Sequence, residues 1–253
     1  MNRAYFNAAS SLLRNASRQL LQNMDRTDRV KVIMNSKTQV YENMLEISIE
    51  NEIINRLHEL YPTHRILSEH KGLTPSLEDP ADKRFTWVVD PVDGITNFMN
   101  MIPSYCMALS LYEDKECIMS VIYQPVTDEV FSAIKNQGAL FNGKKMRAQK
   151  VTPDKTPLIA IAGQFQMQTA IIDMDKRLDR ELTIDQFRLF GSSGLALAYH
   201  ALGAFDVLYA RNIPIYSFSA GLLIAQESGC VIKYEQESDL LVKRVFSHLK
   251  KSR

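Results

Sequence analysis

Glycine is scarce in this chain: ten in 253 residues, or about 4% where roughly 7% is usual. Cysteine is scarcer. Cys106, Cys117 and Cys230 are an odd number, far apart and without a CxxC pair. That spacing excludes a disulfide framework and a zinc knuckle, and predicts reduced thiols in a cytoplasmic protein. No run of about 18 apolar residues exists, so no membrane-spanning helix is expected. Asn2, Arg3, Asn7, Ser10 and Ser11 break up anything resembling a signal-peptide core. An excess of one charge is also missing. Thirty basic side chains stand against 29 acidic ones, so there is no overall pull toward nucleic acid or anionic lipid.

What is present has the composition of an ordinary folded protein, with a length for one to two domains. Tyr5, Ala8, Ala9, Leu12, Leu13, Ala16, Leu20 and Leu21 recur at helical spacing and predict an amphipathic helix over 4–24. Met44, Ile47, Ile53, Ile54, Leu57 and Leu60 predict a second over 43–60, stopped by Tyr61-Pro62. Residues 71–84 are polar, carry two prolines and predict a surface loop. The period then shortens. Residues 87–89, 105–112, 117–123, 130–134 and 157–162 predict strands, with turns at Gly138 and Asn142-Gly143. A helix over 192–203, a strand over 205–209 and a helix over 218–228 closed by Gly229 complete the reading. Helices first, strands in the middle and alternation at the end predict a layered α/β or α+β protein.

The segment Trp87–Phe98, WVVDPVDGITNF, carries the chemistry. A hydrophobic strand delivers Asp90 to a turn stiffened by Pro91, and Asp93 follows just before Gly94. Two carboxylates three apart on a turn can converge on a hard cation such as Mg²⁺. The free N–H groups at Gly94 and Ile95, at an expected helix start, suit a phosphate. The same spelling also reads as an Asp-Pro turn followed by a helix cap, and spacing alone leaves both readings open.

Several separated segments together resemble the inositol monophosphatase superfamily of Mg²⁺-dependent phosphomonoesterases, including its bacterial SuhB branch. Ile66-Leu67-Ser68-Glu69 is similar to the family's I-L-G-E-E, and Asp90-Pro91-Val92-Asp93-Gly94 to its D-P-[ILV]-D-G-T. The run from Tyr123-Gln124-Pro125 to Asn142-Gly143, the stretch from Gly191-Ser192 to Asp206, and Ala220-Gly221 follow in the family's order. The resemblance implies an αβαβα sandwich spanning 1–253. Its metal-binding α+β half would run over about 1–140 with an antiparallel sheet, and its α/β half over 141–253. Little chain follows Val231, so the C-terminal elements are expected to be shortened.

Carried over by position, the family's metal ligands are Glu69, Asp90, Asp93 and the carbonyl of Val92, with Asp93, Gly94 and Ile95 on the substrate side. Glu69 would also serve the attacking water. Other positions depart from the pattern. The water-orienting Thr is Ile95, and the second-metal Asp is Ser217. The polyol-contacting acid is Ala210, the early Thr-x-x-Asp falls at Asn43 and Glu46, and the second Glu of G-E-E is His70. An apolar β-branched side chain cannot position a nucleophile, and a neutral hydroxyl is a poor Mg²⁺ ligand beside a carboxylate. Ser68 replaces the family's Gly, and the loop at 33–42 has no glycine, which removes backbone freedom where metal and phosphate would bind.

The resemblance therefore implies a partly retained site, with one Mg²⁺ of reduced affinity and phosphomonoesterase activity weak or lost. Two alternatives stand beside it: an active phosphatase of inositol or sugar phosphates, and a non-catalytic SuhB-like factor binding transcription machinery or RNA. A homodimer is also implied. His70 reads as a replacement ligand or as a hydrogen-bonded surface residue. The Lys243-Arg244 and Lys250-Lys251-Ser252-Arg253 runs read as a solvated helix end or as a patch for RNA or acidic partners.

Overall fold

The computed structural model describes residues 2–34, 41–78, 84–148, 156–163, 183–236 and 239–243. Helix α1 (Asn2–Asn23) buries Tyr5, Ala9, Leu12, Leu13, Ala16 and Leu20, the stripe expected from its spacing. A 3₁₀ turn over Met24–Arg29 leads into a small antiparallel hairpin of β1 (Val32–Met34) and β2 (Tyr41–Asn43), so the expected loop at 33–42 has paired flanks. Helix α2 (Met44–Leu60) starts at Asn43, whose Oδ1 accepts from the N–H groups of Leu45 and Glu46 at 3.0 and 3.3 Å. Those are two of the amide donors that a helix start leaves unpaired.

The main sheet then assembles from β3 (Arg65–Ser68), β4 (Gly72–Thr74), β5 (Phe85–Asp93), β6 (Cys106–Glu113), β7 (Glu116–Gln124), β8 (Glu129–Ile134), β9 (Gly138–Phe141) and β10 (Lys144–Met146). Its order is β10-β9-β8-β7-β6-β5-β3-β4, antiparallel except where β3 runs parallel to β5. Two expectations are corrected here. The polar segment 71–84 contributes an edge strand, because Gly72, at φ +65°, turns the chain back along β3. The strand expected at 87–89 continues to Asp93, because both its faces are covered.

Helices α1 and α2 cover one face of this sheet. Helix α3 (Ile95–Met99) caps the end of β5. The other face meets α4 (Ser193–Leu202) and α5 (Ile215–Ser228). Beyond those helices lies a second sheet of β11 (Ile159–Gly163), β12 (Phe187–Leu189), β13 (Val207–Arg211), β14 (Val231–Gln236) and β15 (Asp239–Lys243), in the order β12-β11-β13-β15-β14. Strands β12, β11 and β13 are parallel, and β15 and β14 return antiparallel.

The layers run α, β, α, β among the described residues, an α/β fold. The outermost α layer of the expected five is not among them, and neither is most of the basic C-terminal run. No helix among the described residues is long and apolar enough to cross a membrane.

Alternation along β6 shows how the sheet is buried twice. Met107, Leu109 and Leu111 join the core under α1 and α2, while Cys106 and Ala108 join the core under α4 and α5. The two central helices lie close enough that a Cβ on Gly221 would sit 2.5 Å from Leu197 Cβ. Helix propensity favours Ala over Gly by up to about 1 kcal/mol, but a contact that short forces backbone movement at a cost of about 1–3 kcal/mol. Gly221→Ala is therefore expected to lower stability in urea denaturation. A neutral or stabilising result would show that the helix pair can separate without penalty.

Candidate active site

Strand β5 carries the two aspartates of the DPVDG segment, and an irregularity in its pairing decides where they point. Asp90 faces Ala108 on β6 and Asp93 faces Cys106, so three steps along β5 match two along β6. In a regular strand, residues three apart point to opposite faces. The bulge puts Asp93 on the same face as Asp90, toward α4 and α5, with Pro91 and Val92 in the stretch the ladder skips. Val92 stays buried and its side chain joins the core under α1 and α2.

The two carboxylates meet different surroundings. Asp93 is held by the start of α4: its Oδ2 accepts from Ser192 Oγ at 2.7 Å and from the Gly194 N–H at 2.5 Å, and its Oδ1 accepts from the Ser193 N–H at 3.2 Å. A carboxylate at a ten-residue helix's N-terminus is favoured by the unpaired amides and the dipole. Burial still pushes its pKa up, with those donors pulling it back. Asp90 has no such support. It is 1% exposed, and neither Oδ atom has a hydrogen-bond partner among the described residues. Burial first, then the charges of Asp93 and Glu69, hold its pKa well above the usual carboxylate range. The Ser217 hydroxyl faces it without reaching full hydrogen-bonding geometry and pulls the other way.

Four further groups converge from α2 and from the end of β3. Glu46 and Glu50 sit on the buried stripe of α2 with Ile49, Ile53, Ile54 and Leu57. Glu50 Oε1 accepts from the His70 N–H at 2.9 Å, and its Oε2 is buried without a partner. His70 Nε2 stands 3.4 Å from Glu46 Oε2, and its pKa is raised to about 9, chiefly by Glu46. Glu69 has an exposed surface, yet the protein around it and the nearby Glu46 raise its pKa to about 7. Glu46, Glu69 and His70 each offer one ligand atom, all within 4.8 Å of one another. Tyr216 faces the same cluster, its phenol pKa raised by burial and then by Glu69 and Asp90.

The structure thus brings Glu69, Asp90, Asp93, Glu46, His70 and Ser217 around one acidic pocket. Gly94, at φ +102°, forms the N-cap of α3, and a Cβ there would meet Ser104 O at 3.0 Å. Ile95 packs against the core under α1 and α2. Asn43 serves as the α2 cap and donates from Nδ2 to Met99 Sδ at 3.0 Å. Ala210 lies in the apolar core between α4 and the second sheet. Sequence reasoning missed Glu50. The available signal was an acid at i+4 from Glu46, on a stripe whose other members are apolar.

The raised pKa values have a consequence for metal-free protein. Between about 4.5 and 7 the folded Glu69 holds a proton that the unfolded chain has released, so stability falls as pH rises across that window. The His70–Glu46 pair adds stability that is complete below about 6.5 and lost as pH rises through about 9. Thermal melts in EDTA are expected to fall in midpoint from pH 5 to pH 9, and Glu69→Gln should flatten the portion below pH 7. A midpoint that rises across pH 5–7 would contradict this assignment.

A model described as the inositol monophosphatase family matches residues 2–250. The chain is 32% identical over 206 residues to inositol monophosphatase 2 of Solanum lycopersicum, covering 78% of each chain. It is 29% identical over 229 residues to the Nus factor SuhB of Escherichia coli K12, covering 89% of this chain and 83% of that protein. The extragenic suppressor protein suhB from Bartonella henselae superposes with a TM-score of 0.80 at 24% identity, covering 95% of this chain and 94% of that one, a likeness of fold. A family match over almost the whole length, joined to a layered α/β fold that gathers this acidic pocket, places the chain in the inositol monophosphatase family.

Proposed function

We propose that this chain keeps one divalent-cation site for small phosphomonoesters and has weak or no phosphatase turnover. The observation that carries the reading is Asp90, buried with both carboxylate oxygens unpartnered among the described residues, on the same face as Asp93 and under the charge of Glu69. A buried carboxylate without donors either takes up a proton or meets a cation, and the neighbouring carboxylates gathered at Asp90 suit the cation. Glu69, Asp90 and the carbonyl of Val92 would hold Mg²⁺, an all-oxygen set suited to a hard ion. Asp93 joins them with whatever capacity its hold on α4 leaves. A bound ion supplies polarisation of the phosphate ester and a more acidic water.

The chain's own residues do the rest, and here the set is short. The amides after Gly94, at the start of α3, would meet a phosphate oxygen. Ile95 offers no hydroxyl to orient water, and its side chain is committed to the apolar core. Ser217 offers a neutral oxygen where a second ion needs a carboxylate. Removal of one group that acts only in the transition state costs about 10²–10³-fold in rate, so the two departures together leave little catalysis.

A second reading, binding without turnover, is supported by exposed apolar side chains on the β1 strand, Val32, Ile33 and Met34, and by relatives that bear the name Nus factor. In that reading the chain, alone or as a homodimer, joins transcription machinery in the cytoplasm. Ile33→Asp should then abolish co-purification with that machinery and leave cation binding intact.

Calorimetric titration with Mg²⁺ is expected to give about one ion per chain, lost in Asp90→Asn. Hydrolysis of a phosphomonoester panel should stay near background, and Ile95→Thr combined with Ser217→Asp should raise it by about 10²-fold or more. Robust turnover by the native chain that disappears in Asp90→Asn would overturn the loss of activity. Absence of any cation binding would overturn the site itself.

A further inference from the structure

We propose that His70 is a direct ligand of the cation in this pocket, and that the pocket therefore prefers a first-row transition ion such as Mn²⁺, Co²⁺ or Zn²⁺ to Mg²⁺. The inference rests on the reading that a divalent cation enters the pocket, and it adds which class of ion and which side chain selects it.

Glu46, Glu69 and His70 offer three ligand atoms within 4.8 Å of one another, from the first turn of α2 and the end of β3. His70 Nε2 is buried and, among the described residues, its nearest acceptor is Glu46 Oε2 at 3.4 Å, an ion-pair distance longer than a good hydrogen bond. Two donor atoms each about 2.1 Å from one ion, at a tetrahedral angle, lie roughly 3.4 Å apart. An N–O pair at that separation, longer than a good hydrogen bond, has the spacing of two neighbouring ligands.

Two independent observations point to an ion rather than to a self-sufficient cluster. Asp90 is 1% exposed, with neither oxygen hydrogen-bonded among the described residues, and is close enough to Glu69 and Glu46 to feel their charge. Glu50 is fully buried and leaves Oε2 without a partner while its Oε1 fixes the His70 backbone. The backbone bond holds the histidine from behind, the kind of outer support that keeps a ligand aimed.

The chemistry then decides the ion. Mg²⁺ takes oxygen donors and gains little from an imidazole, whereas Mn²⁺, Co²⁺ and Zn²⁺ accept mixed carboxylate and imidazole sets, with affinity generally rising from Mn²⁺ to Co²⁺. A histidine beside Glu69 thus adds a borderline donor to a set that is otherwise all oxygen. The three carboxylates Glu46, Glu69 and Asp90 keep the site negative enough for a dication.

The test uses the full chain stripped with EDTA and titrated separately with Mg²⁺, Mn²⁺ and Zn²⁺. Native protein is expected to bind Mn²⁺ and Zn²⁺ more tightly than Mg²⁺. His70→Glu should reduce the Zn²⁺-to-Mg²⁺ affinity ratio by about tenfold or more, as losing support for a metal-bound histidine already costs about 10–100-fold. Pulsed electron paramagnetic resonance of the native Mn²⁺ complex should show a directly coordinated imidazole nitrogen, a readout that needs no variant to fold. A native Mn²⁺ complex without nitrogen coupling, or a His70→Glu ratio equal to the native one, would overturn the inference. Either result leaves the one-ion proposal standing if Mg²⁺ still binds and Asp90→Asn still abolishes it. Failure of all three ions to bind overturns both.

Discussion

Carboxylates crowded into one partly buried pocket repel each other, and most of the structure around β5 is arranged to hold them there. Each desolvated carboxylate needs donors, a counter-charge or a proton. The protein gives Asp93 the first turn of α4, through Ser192, Ser193 and Gly194. It gives Glu46 the imidazole of His70, and Glu50 the His70 amide. Asp90 receives neither, and its raised pKa reports the same deficit as its unpartnered oxygens.

The backbone makes this crowding possible. Without the bulge between Asp90 and Asp93, one of the two would point into the apolar core beneath α1 and α2. With it, both reach the α4–α5 side, and Val92 takes the core position instead. The scarce glycines are spent on the same kind of task. Eight of the ten lie at positive φ. The other two, Gly194 and Gly221, let an α4 amide reach Asp93 and let α5 approach Leu197. A chain low in glycine has placed it where a side chain would collide or a turn would fail, Gly72 at the end of the Glu69 turn among them.

Much of the fold was legible in the residues. The apolar spacing of α1 and α2, the alternation along β6 and β7, and the Gly229 stop of α5 follow from periodicity and turn chemistry, and the structure keeps them within a few residues. The elements that escaped were short or irregular. Strand β4 is three polar-flanked residues whose partner lies in β3, β12 is three residues added in parallel beside β11, and β5 runs four residues beyond its apolar segment. Local composition is silent on all three because distant chain segments stabilise them.

The candidate site divides in the same way. The sequence by itself determined the inventory: Glu69, Asp90, Asp93 and Gly94 in order along the chain, with the apolar Ile95, the neutral Ser217 and the imidazole of His70 beside them. Those identities limit the chemistry wherever the residues come to rest, because donor type travels with the side chain. Only the tertiary structure decided which carboxylates are already satisfied and which are not. Asp90 and Asp93 read alike in DPVDG, but Asp93 accepts from the amides of a helix start about a hundred positions away, whereas Asp90 has only the Ser217 hydroxyl, in the first turn of α5, facing it. Glu50, a plain helical acid in the sequence, becomes the clamp on His70 by the packing of α2 against the end of β3. Solvation and charge compensation depend on what surrounds an atom in space, and no spacing along the chain encodes that.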